Sequence, residues 1–266
     1  MRYSNLHTHT VYSDGKNTVR ENIEAAIAAS MISIGFSDHS YTDFDLSYCI
    51  KKEKLGEYIN EVRALGREYE NRIEVYLGYE LDGFADMKDR ELYDYTIGDC
   101  HYVRTCDGYM TIDHSDKNFC ILLDQYFGGD ALALAREYYA TYAERIPIIR
   151  PDVLGHFDLV TKFGRMPEED RAYRSAAREA LEAALATTNI IEMNTGAISR
   201  GYKALYPAGF LLDTVRENGG KILLSSDSHS KQHLTFYFDE ALEILRANRF
   251  KSIVMLKGGK FEEVGI

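Results

Sequence analysis

The amino-acid sequence predicts an α/β fold in which parallel strands close into a barrel within one domain. Short apolar segments of strand length alternate along the chain with charged segments of helical periodicity, which is typical of parallel sheets with helical crossovers. Acidic residues, histidines or an asparagine follow nearly every apolar segment, and a barrel collects such residues from many strands on one face. An open doubly wound sheet would concentrate them at one switch point, so the barrel is the favoured architecture.

The predicted elements follow one another in a regular order. The apolar segments of strand length lie at residues 32–36, 73–79, 93–98, 152–157, 189–194, 221–226 and 251–256. The charged segments with helical periodicity lie at residues 18–30, 54–71, 130–145, 168–188, 207–219 and 235–249. One of these helices is expected to end at Gly219 and Gly220, because glycine is favoured just beyond a helix C-terminus.

The chain shows no change of composition that would mark a domain boundary. It contains four prolines, and no stretch rich in Pro, Gly or Ser separates one part from another. We therefore predict a single barrel domain over residues 1–266. The least regular segment, residues 102–130, is predicted to be a long loop with a short helix on the substrate side, because long ordered loops are often functional.

Composition narrows the class of protein. The formal net charge of −11 argues against a nucleic-acid-binding surface, which needs clustered Lys and Arg. The four cysteines form no C-x-x-C pair, so they are predicted to be free thiols in a reducing compartment. No apolar run approaches the roughly 18–20 residues that span a bilayer, and the N-terminus does not resemble a signal peptide. A cytoplasmic enzyme is the expectation.

Pairs of possible metal ligands recur two residues apart. Residues i and i+2 of a strand project to the same side, so His7 and His9 can face one cavity, and Asp227 can do so with His229. The same spacing occurs in Glu80–Asp82 and in His156–Asp158. In the sequence SDH, by contrast, Asp38 and His39 point in opposite directions, and only one of them should be a ligand.

The types of these residues indicate the metal. Mixed imidazole and carboxylate ligands suit zinc, manganese or iron, whereas the lack of paired cysteines argues against an iron–sulfur or structural zinc site. A single histidine in a strand is more often structural than a ligand, and one isolated H-x-H motif has modest weight. Six of the eight histidines, however, lie at or near the ends of predicted strands, several beside an acid. We therefore predict a metal site.

The order of these motifs resembles that of the PHP superfamily, which includes polymerases and histidinol phosphatases. The motifs are H-x-H followed by Asp14, SDH, G-x-E, a histidine after the fourth strand, GH-x-D and SD-x-H. The resemblance implies a distorted (β/α)7 barrel that holds three divalent ions. It implies that His7, His9, Glu80 and Asp227 hold the first ion. Glu80 would bridge to a second ion held by His101 and His156, and the third ion would bind Asp14, His39 and His229.

Further segments resemble the histidinol phosphatases of that superfamily. They are TIDHS at residues 111–115, GHFDLVTKFGR at 155–165 and EMNTGAISRGYKALYP at 192–207. The resemblance implies that Arg165 and Arg200 bind the substrate phosphate, a role that suits the planar fork of arginine. His114 is a candidate substrate contact in the long loop, whereas His233 is expected to be a surface residue. Asp82, Asp158 and Asn194 are expected to orient the ligands.

The function that these resemblances imply is hydrolysis of L-histidinol phosphate to L-histidinol and phosphate, a step of histidine biosynthesis. Two ions that share a water lower its pKa, so a bridging hydroxide can attack phosphorus. Glu80, Asp227 and His229 are the expected catalytic residues, since they hold these ions. The alternatives are a related enzyme for another small phosphomonoester or nucleotide, a nuclease, an amidohydrolase, or a barrel that only binds metal. Metal identity and oligomeric state are left open.

Overall fold

Strands form the centre of this computed structural model, which describes residues 2–86 and 89–266. In chain order they are β1 (Ser4–Asn5), β2 (Ser33–Phe36), β3 (Glu74–Asp82), β4 (Tyr95–Asp99), β5 (Tyr102–Thr105), β6 (Gly108–Thr111), β7 (Val153–Leu154), β8 (Ile190–Asn194), β9 (Lys221–Ser225), β10 (Ser252–Lys257) and β11 (Lys260–Gly265). The main sheet has the order β1–β2–β3–β4–β7–β8–β9–β10–β11, and its neighbours are parallel except in the final β10–β11 hairpin. The predicted α/β fold is confirmed.

The sheet curls so that the chain after β1 meets the chain after β9. Thr8, just after β1, forms a parallel bridge with Ser228, just after β9. The backbone N–H of His9 donates to the carbonyl of Ser228 at 2.9 Å, and the N–H of Ser228 donates to the carbonyl of His7 at 3.0 Å. Across the part of the chain that the structure describes, seven parallel strands thus surround one axis, while β10 pairs in parallel with β9 through Val254 and Leu223. This is the distorted seven-stranded barrel that the resemblance implied.

Helices cover the outside of the barrel. They are α1 (Val19–Ala28), α2 (Leu55–Tyr69), α3 (Asp116–Ile121), α4 (Ala131–Ile149), α5 (Arg171–Leu185), α6 (Gly196–Ser199), α7 (Leu212–Glu217) and α8 (Phe238–Ala247). Thr18, Asp130 and Asp170 accept hydrogen bonds from backbone N–H groups of the first turns of α1, α4 and α5, which fixes where these helices begin. Each of the six predicted helical segments contains a helix. No helix among the described residues is long and apolar enough to cross a membrane.

The barrel interior changes from apolar to polar along its axis. Its lower half is filled by a cluster of buried side chains that come from alternate positions of the strands: Leu6, Tyr76, Tyr95, Ile97, Val153, Ile190, Leu223, Val254 and Leu256. The ring of Tyr95 occupies the space where a Cβ at Gly35 or Gly78 would lie, so these two positions accept only glycine. The apolar layer closes the barrel below its carboxyl end, where the inward-facing residues become acids and histidines.

The segment at residues 102–130 is more regular than the predicted loop. Strands β5 and β6 form an antiparallel hairpin in which Tyr102 pairs with Thr111. Helix α3 follows and continues into a π-helical stretch at Leu122–Tyr126. The Asp107–Gly108 dipeptide was a turn signal for this hairpin, since Gly108 has a positive φ of 117°. The expected short helix is present, and the hairpin is an addition.

Candidate metal centre

A cavity of about 540 Å³ opens at the carboxyl end of the barrel. Strands β3, β4, β7, β8 and β9 end at its base, and the segment at residues 102–130 contributes part of its wall. Many of the residues predicted for the site are among those that line it: Asp14, His39, His101, His114, His156, Arg200, Asp227 and His229. The structure therefore brings residues from distant parts of the chain to one opening.

All nine residues predicted to be metal ligands fall in clusters whose ligand atoms lie within 4.8 Å of one another. One cluster combines His9 with the three residues expected at the third ion. The others combine the residues expected at the first and second ions and add one carboxylate that the sequence did not indicate, Asp99. The clusters are His9, Asp14, His39 and His229; Glu80, Asp99, His101 and His156; His7, His156 and Asp227; and His7, His9 and Glu80.

Glu80 lies at the centre of these clusters. Its Oε1 is 3.1 Å from Nε2 of His7 and 3.1 Å from Nε2 of His156. Its Oε2 is 2.6 Å from Nδ1 of His39 and 3.5 Å from Nε2 of His9. Burial acts to raise the pKa of Glu80, but the imidazoles of His39 and His7 outweigh it and hold the pKa well below its ordinary value. An ionised carboxylate thus faces imidazoles on both of its oxygens.

Two further carboxylates complete the arrangement. Oδ1 of Asp227 is 3.0 Å from Nε2 of His9 and 3.7 Å from Nε2 of His7. Oδ2 of Asp14 is 3.1 Å from Nε2 of His229. Asp227 has a positive φ of 43°, a region in which aspartate is tolerated better than most residues. The turn there directs its side chain towards the histidines of the first strand segment.

Several buried atoms of these residues face other ligand atoms but form no well-directed hydrogen bond within residues 2–86 and 89–266. They are Nε2 of His7, both ring nitrogens of His9, Oε2 of Glu80 and Oδ1 of Asp227. Buried polar atoms are normally paired, because leaving them without a partner costs free energy. Burial and the imidazoles of His229 and His39 lower the pKa of His9 to about 3, so its ring is neutral, as a metal ligand must be. These atoms fit divalent cations, and their N and O donors suit zinc, manganese or iron.

The side chains of His39 and Asp38 face in opposite directions, as predicted. His39 faces the clusters, whereas Asp38 accepts hydrogen bonds from the backbone N–H of Thr10 at 2.7 Å and from the hydroxyl of Thr10 at 2.9 Å. The hydroxyl of Ser13 also donates to Asp38. Asp38 therefore holds the loop that presents Asp14.

The residues expected to orient ligands have different surroundings. Oδ2 of Asp82 accepts a hydrogen bond from the backbone N–H of His101 at 2.9 Å. The side chain of Asn194 donates to Glu192 at 2.8 Å. Asp158 accepts from the backbone N–H of Ala208 at 2.8 Å and belongs to none of the clusters found among the described residues. Asp82 thus contacts a ligand residue directly, whereas Asn194 does so through Glu192.

Glu192 is a buried residue of the site that the sequence did not indicate. Its Oε2 accepts from Nδ1 of His7 at 2.9 Å and from the hydroxyl of Ser225 at 2.7 Å. Its Oε1 accepts from the backbone N–H of His156 at 2.6 Å. Through these bonds Glu192 directs Nε2 of His7 at Glu80 and fixes the backbone that presents His156.

We expect Glu192→Gln to weaken metal binding about 10–100-fold, because an amide nitrogen would face donors that now meet a carboxylate oxygen. Titration of the metal-loaded protein with a chelator measures this effect. Glu182→Gln, on the exposed face of α5, is the matched control and should leave the affinity unchanged. Equal affinities of the two variants would contradict the positioning role of Glu192.

The cationic residues near the cavity differ in their placement. Nη2 of Arg200 is 3.0 Å from Oδ2 of Asp227 and 3.1 Å from Nδ1 of His229, and Arg200 lines the cavity. Arg165 instead pairs with the exposed Asp116 at 2.7 Å and is not among the described residues that line the cavity. Lys162, from the same GHFDLVTKFGR segment, does line it.

Lys162 is a buried cation that the sequence did not indicate. Its Nζ is 3.0 Å from Oδ2 of Asp113 and donates to the carbonyl of Asp113 at 2.8 Å. His114, the expected loop contact, also lines the cavity, as does His233, which we had expected on the surface. Positive side chains from two separate segments, Lys162 and Arg200, therefore border the same opening as the metal clusters.

Comparisons with known proteins agree with this geometry. The PHP domain family matches residues 5–196. The chain is 30% identical over 252 residues to the probable histidinol-phosphatase of Deinococcus radiodurans, with 91% of this chain and 92% of the relative covered. It is 23% identical over 266 residues to the histidinol-phosphatase of Bacillus subtilis, with 91% and 98% covered.

Solved structures share the fold. The histidinol phosphate phosphatase of Lactococcus lactis, determined in complex with Zn, L-histidinol and phosphate, has a TM-score of 0.70 at 20% identity, with 98% of this chain and 99% of that chain covered. The crystal structure of the putative histidinol phosphatase from Listeria monocytogenes has a TM-score of 0.74 at 17% identity, with 90% of this chain and 99% of that chain covered. At these identities the likeness concerns the fold.

Proposed function

This chain belongs to the PHP domain family, and we propose that it is a metal-dependent phosphoric monoester hydrolase that converts L-histidinol phosphate to L-histidinol and phosphate. The observation that supports this most directly is the set of nine clustered imidazole and carboxylate residues, six of which line the cavity that Arg200 also lines. Relatives that cover nine-tenths of the chain are histidinol-phosphatases, as reported above.

The proposed cofactors are three divalent ions, which are zinc, manganese or iron. His7, His9, Glu80 and Asp227 would hold the first ion, and Glu80, His101 and His156 the second. Asp14, His39 and His229 would hold the third. When bound, such ions lower the pKa of water and neutralise negative charge on phosphate oxygens.

The chain's own residues contribute binding and orientation. The guanidinium of Arg200 is fixed by Asp227 and lines the cavity, where it can meet two phosphate oxygens at once. Lys162 adds a second positive charge at the same opening. The leaving alkoxide needs a proton, and His114 is the imidazole on the cavity wall that we propose as its source. Arg165 would need a different orientation to contact the phosphate.

The cavity also suits the organic part of the substrate. Its volume of about 540 Å³ is that of a small-molecule site rather than a groove for a polymer. The carboxylate of Asp45 lines it together with Tyr48, whereas the carboxylate of Asp113 there is paired with Lys162. The acidic group of Asp45 favours a substrate with a cationic amine, such as L-histidinol phosphate, over a nucleotide. The alternative is another small phosphomonoester. The cytoplasmic location stays a prediction.

Phosphate release by the manganese-loaded protein tests the proposal. L-Histidinol phosphate is compared with a panel of nucleoside and sugar monophosphates, and metal analysis counts the bound ions. We expect a preference of about 100-fold or more in kcat/KM for L-histidinol phosphate, which corresponds to roughly 2.7 kcal/mol. Weak and even activity across the panel would point to the alternative substrate. Fewer than two ions in the active protein would contradict the trinuclear site.

A further inference from the structure

Asp99 is a buried carboxylate of the cavity base that does not belong to the nine expected ligands. It is the last residue of β4, and its side chain has no exposed surface. Because side chains alternate along a strand, Asp99 projects to the same side as Tyr95 and Ile97, which lie in the barrel interior. The chain therefore directs a further acid into the region where Glu80 lies.

The contacts of Asp99 are with histidines of one cluster. Its Oδ1 is 3.1 Å from Nδ1 of His101, and its Oδ2 is 3.7 Å from Nε2 of His156. Asp99, Glu80 and these two histidines each offer a ligand atom within 4.8 Å of the others. Atoms bound to one zinc ion at about 2.0–2.2 Å lie roughly 3–3.5 Å apart, which is close to these distances.

Neither carboxylate oxygen of Asp99 accepts a hydrogen bond from a backbone N–H or a hydroxyl group among the residues that the structure describes, and its near neighbours are imidazole nitrogens. The neighbouring Asp82, which also faces Nδ1 of His101, accepts hydrogen bonds from the backbone N–H groups of Phe84 and His101. Asp82 is thus satisfied by the backbone, whereas Asp99 is not. A buried carboxylate without donors is costly unless a cation meets it.

We propose that Asp99 is a metal ligand in addition to the nine, and that it binds the ion held by Glu80, His101 and His156. The inference rests on the metal-dependent part of the proposed function and not on the identity of the substrate. With four carboxylates instead of three, three divalent ions leave a net charge of about +2 rather than about +3. An added carboxylate oxygen also makes the ligand set of this site chemically harder, and a harder ligand set favours manganese or iron over zinc.

Asp99 could instead orient His101 without binding an ion, and the two roles predict different results. If it only oriented His101 through Nδ1, its oxygens would lie beyond coordination distance of every ion, and an asparagine could accept the same hydrogen bond. As a ligand, Asp99 lies about 2.0–2.3 Å from an ion, and asparagine replaces it poorly.

Anomalous diffraction from crystals of the manganese-loaded wild-type protein tests the position. We expect one oxygen of Asp99 at coordination distance from an ion that His101 and His156 also bind. Oxygens farther than about 3 Å from every ion would overturn the inference. This measurement needs no variant, so it does not depend on how well a substituted protein folds.

Metal content provides the second test. After dialysis, Asp99→Asn is expected to retain one ion fewer than the wild type and to lose at least tenfold in preference for manganese over zinc. Asp158→Asn removes another fully buried carboxylate at the same end of the barrel and should retain the wild-type metal content. Wild-type content and preference in Asp99→Asn would overturn the inference. If Asp99 binds an ion but the wild-type protein does not hydrolyse L-histidinol phosphate, the substrate proposal fails and the ligand assignment stands.

Discussion

His9→Ala is expected to abolish phosphate release while leaving the barrel folded. His9 is fully buried, and its ring lies 4.3 Å from that of His39 and 4.1 Å from that of His229, measured between centroids. It belongs to two of the ligand clusters, so its loss removes a nitrogen donor shared by neighbouring ion sites. Loss of a residue that only orients a ligand costs about 10–100-fold, and loss of the ligand itself should reduce kcat/KM by more than about 10²-fold.

The measurement combines kcat/KM with metal analysis and circular dichroism of the same preparations. His233→Ala is the control, because it removes another imidazole near the opening that belongs to none of the ligand clusters in residues 2–86 and 89–266. It should retain the wild-type metal content. A near-normal kcat/KM of His9→Ala would refute the metal assignment. If His9→Ala does not fold, the same measurements are made on His9→Asn.

Arg200→Ala is expected to reduce kcat/KM about 10²-fold, or roughly 2–3 kcal/mol for a lost charged contact to phosphate. Burial acts to lower the pKa of Arg200, but the carboxylate of Asp227 outweighs it and raises the pKa, so the guanidinium is charged. Arg200→Lys should recover only part of the loss, because an ammonium group lacks the planar fork that meets two oxygens. Steady-state kinetics with L-histidinol phosphate measures both variants.

Arg165→Ala is the matched control for Arg200. The guanidinium of Arg165 pairs with Asp116 through two hydrogen bonds, and both side chains are well exposed. From this placement we expect less than about a threefold change in kcat/KM, since exposed ion pairs contribute little. The opposite result, a large loss in Arg165→Ala and none in Arg200→Ala, would show that the loop carrying Arg165 moves to the phosphate and that Arg200 does not bind it.

The predicted elements agree with the structure where periodicity is local. Each apolar segment and each charged segment of the sequence contains the expected strand or helix. The reason is that burial of one face of an element requires apolar residues at a regular spacing within that same segment. Besides the two-residue strand β1, two features were missed, the β5–β6 hairpin and β11. Both depend on antiparallel pairing, β11 with β10 through Ser252 and Gly265, and this pairing is set by contacts rather than by the amphipathicity of either strand.

The candidate site was predicted where a ligand motif supplied its residues, and it was incomplete where an acid belonged to no such motif. Glu192 of β8 lay within the predicted apolar segment 189–194, and Asp99 of β4 directly followed the predicted segment 93–98, but neither was assigned a role. Counting every second residue from Tyr95 or Ile190 would have placed both acids on the inner face. The choice between Lys162 and Arg165 could not be made in this way, because a turn with a positive φ at Gly164 separates them.

The bridge between Thr8 and Ser228 has a consequence for biosynthesis. Asp14 and His229, which lie 3.1 Å apart in the folded protein, are separated by 215 residues of sequence. A chain that is still being synthesised therefore lacks the last ligands until most of it has left the ribosome, and contacts of such long range slow folding. Metal uptake should consequently follow synthesis of the chain through His229, and the ions should protect chains that contain this residue, rather than shorter ones, from proteolysis.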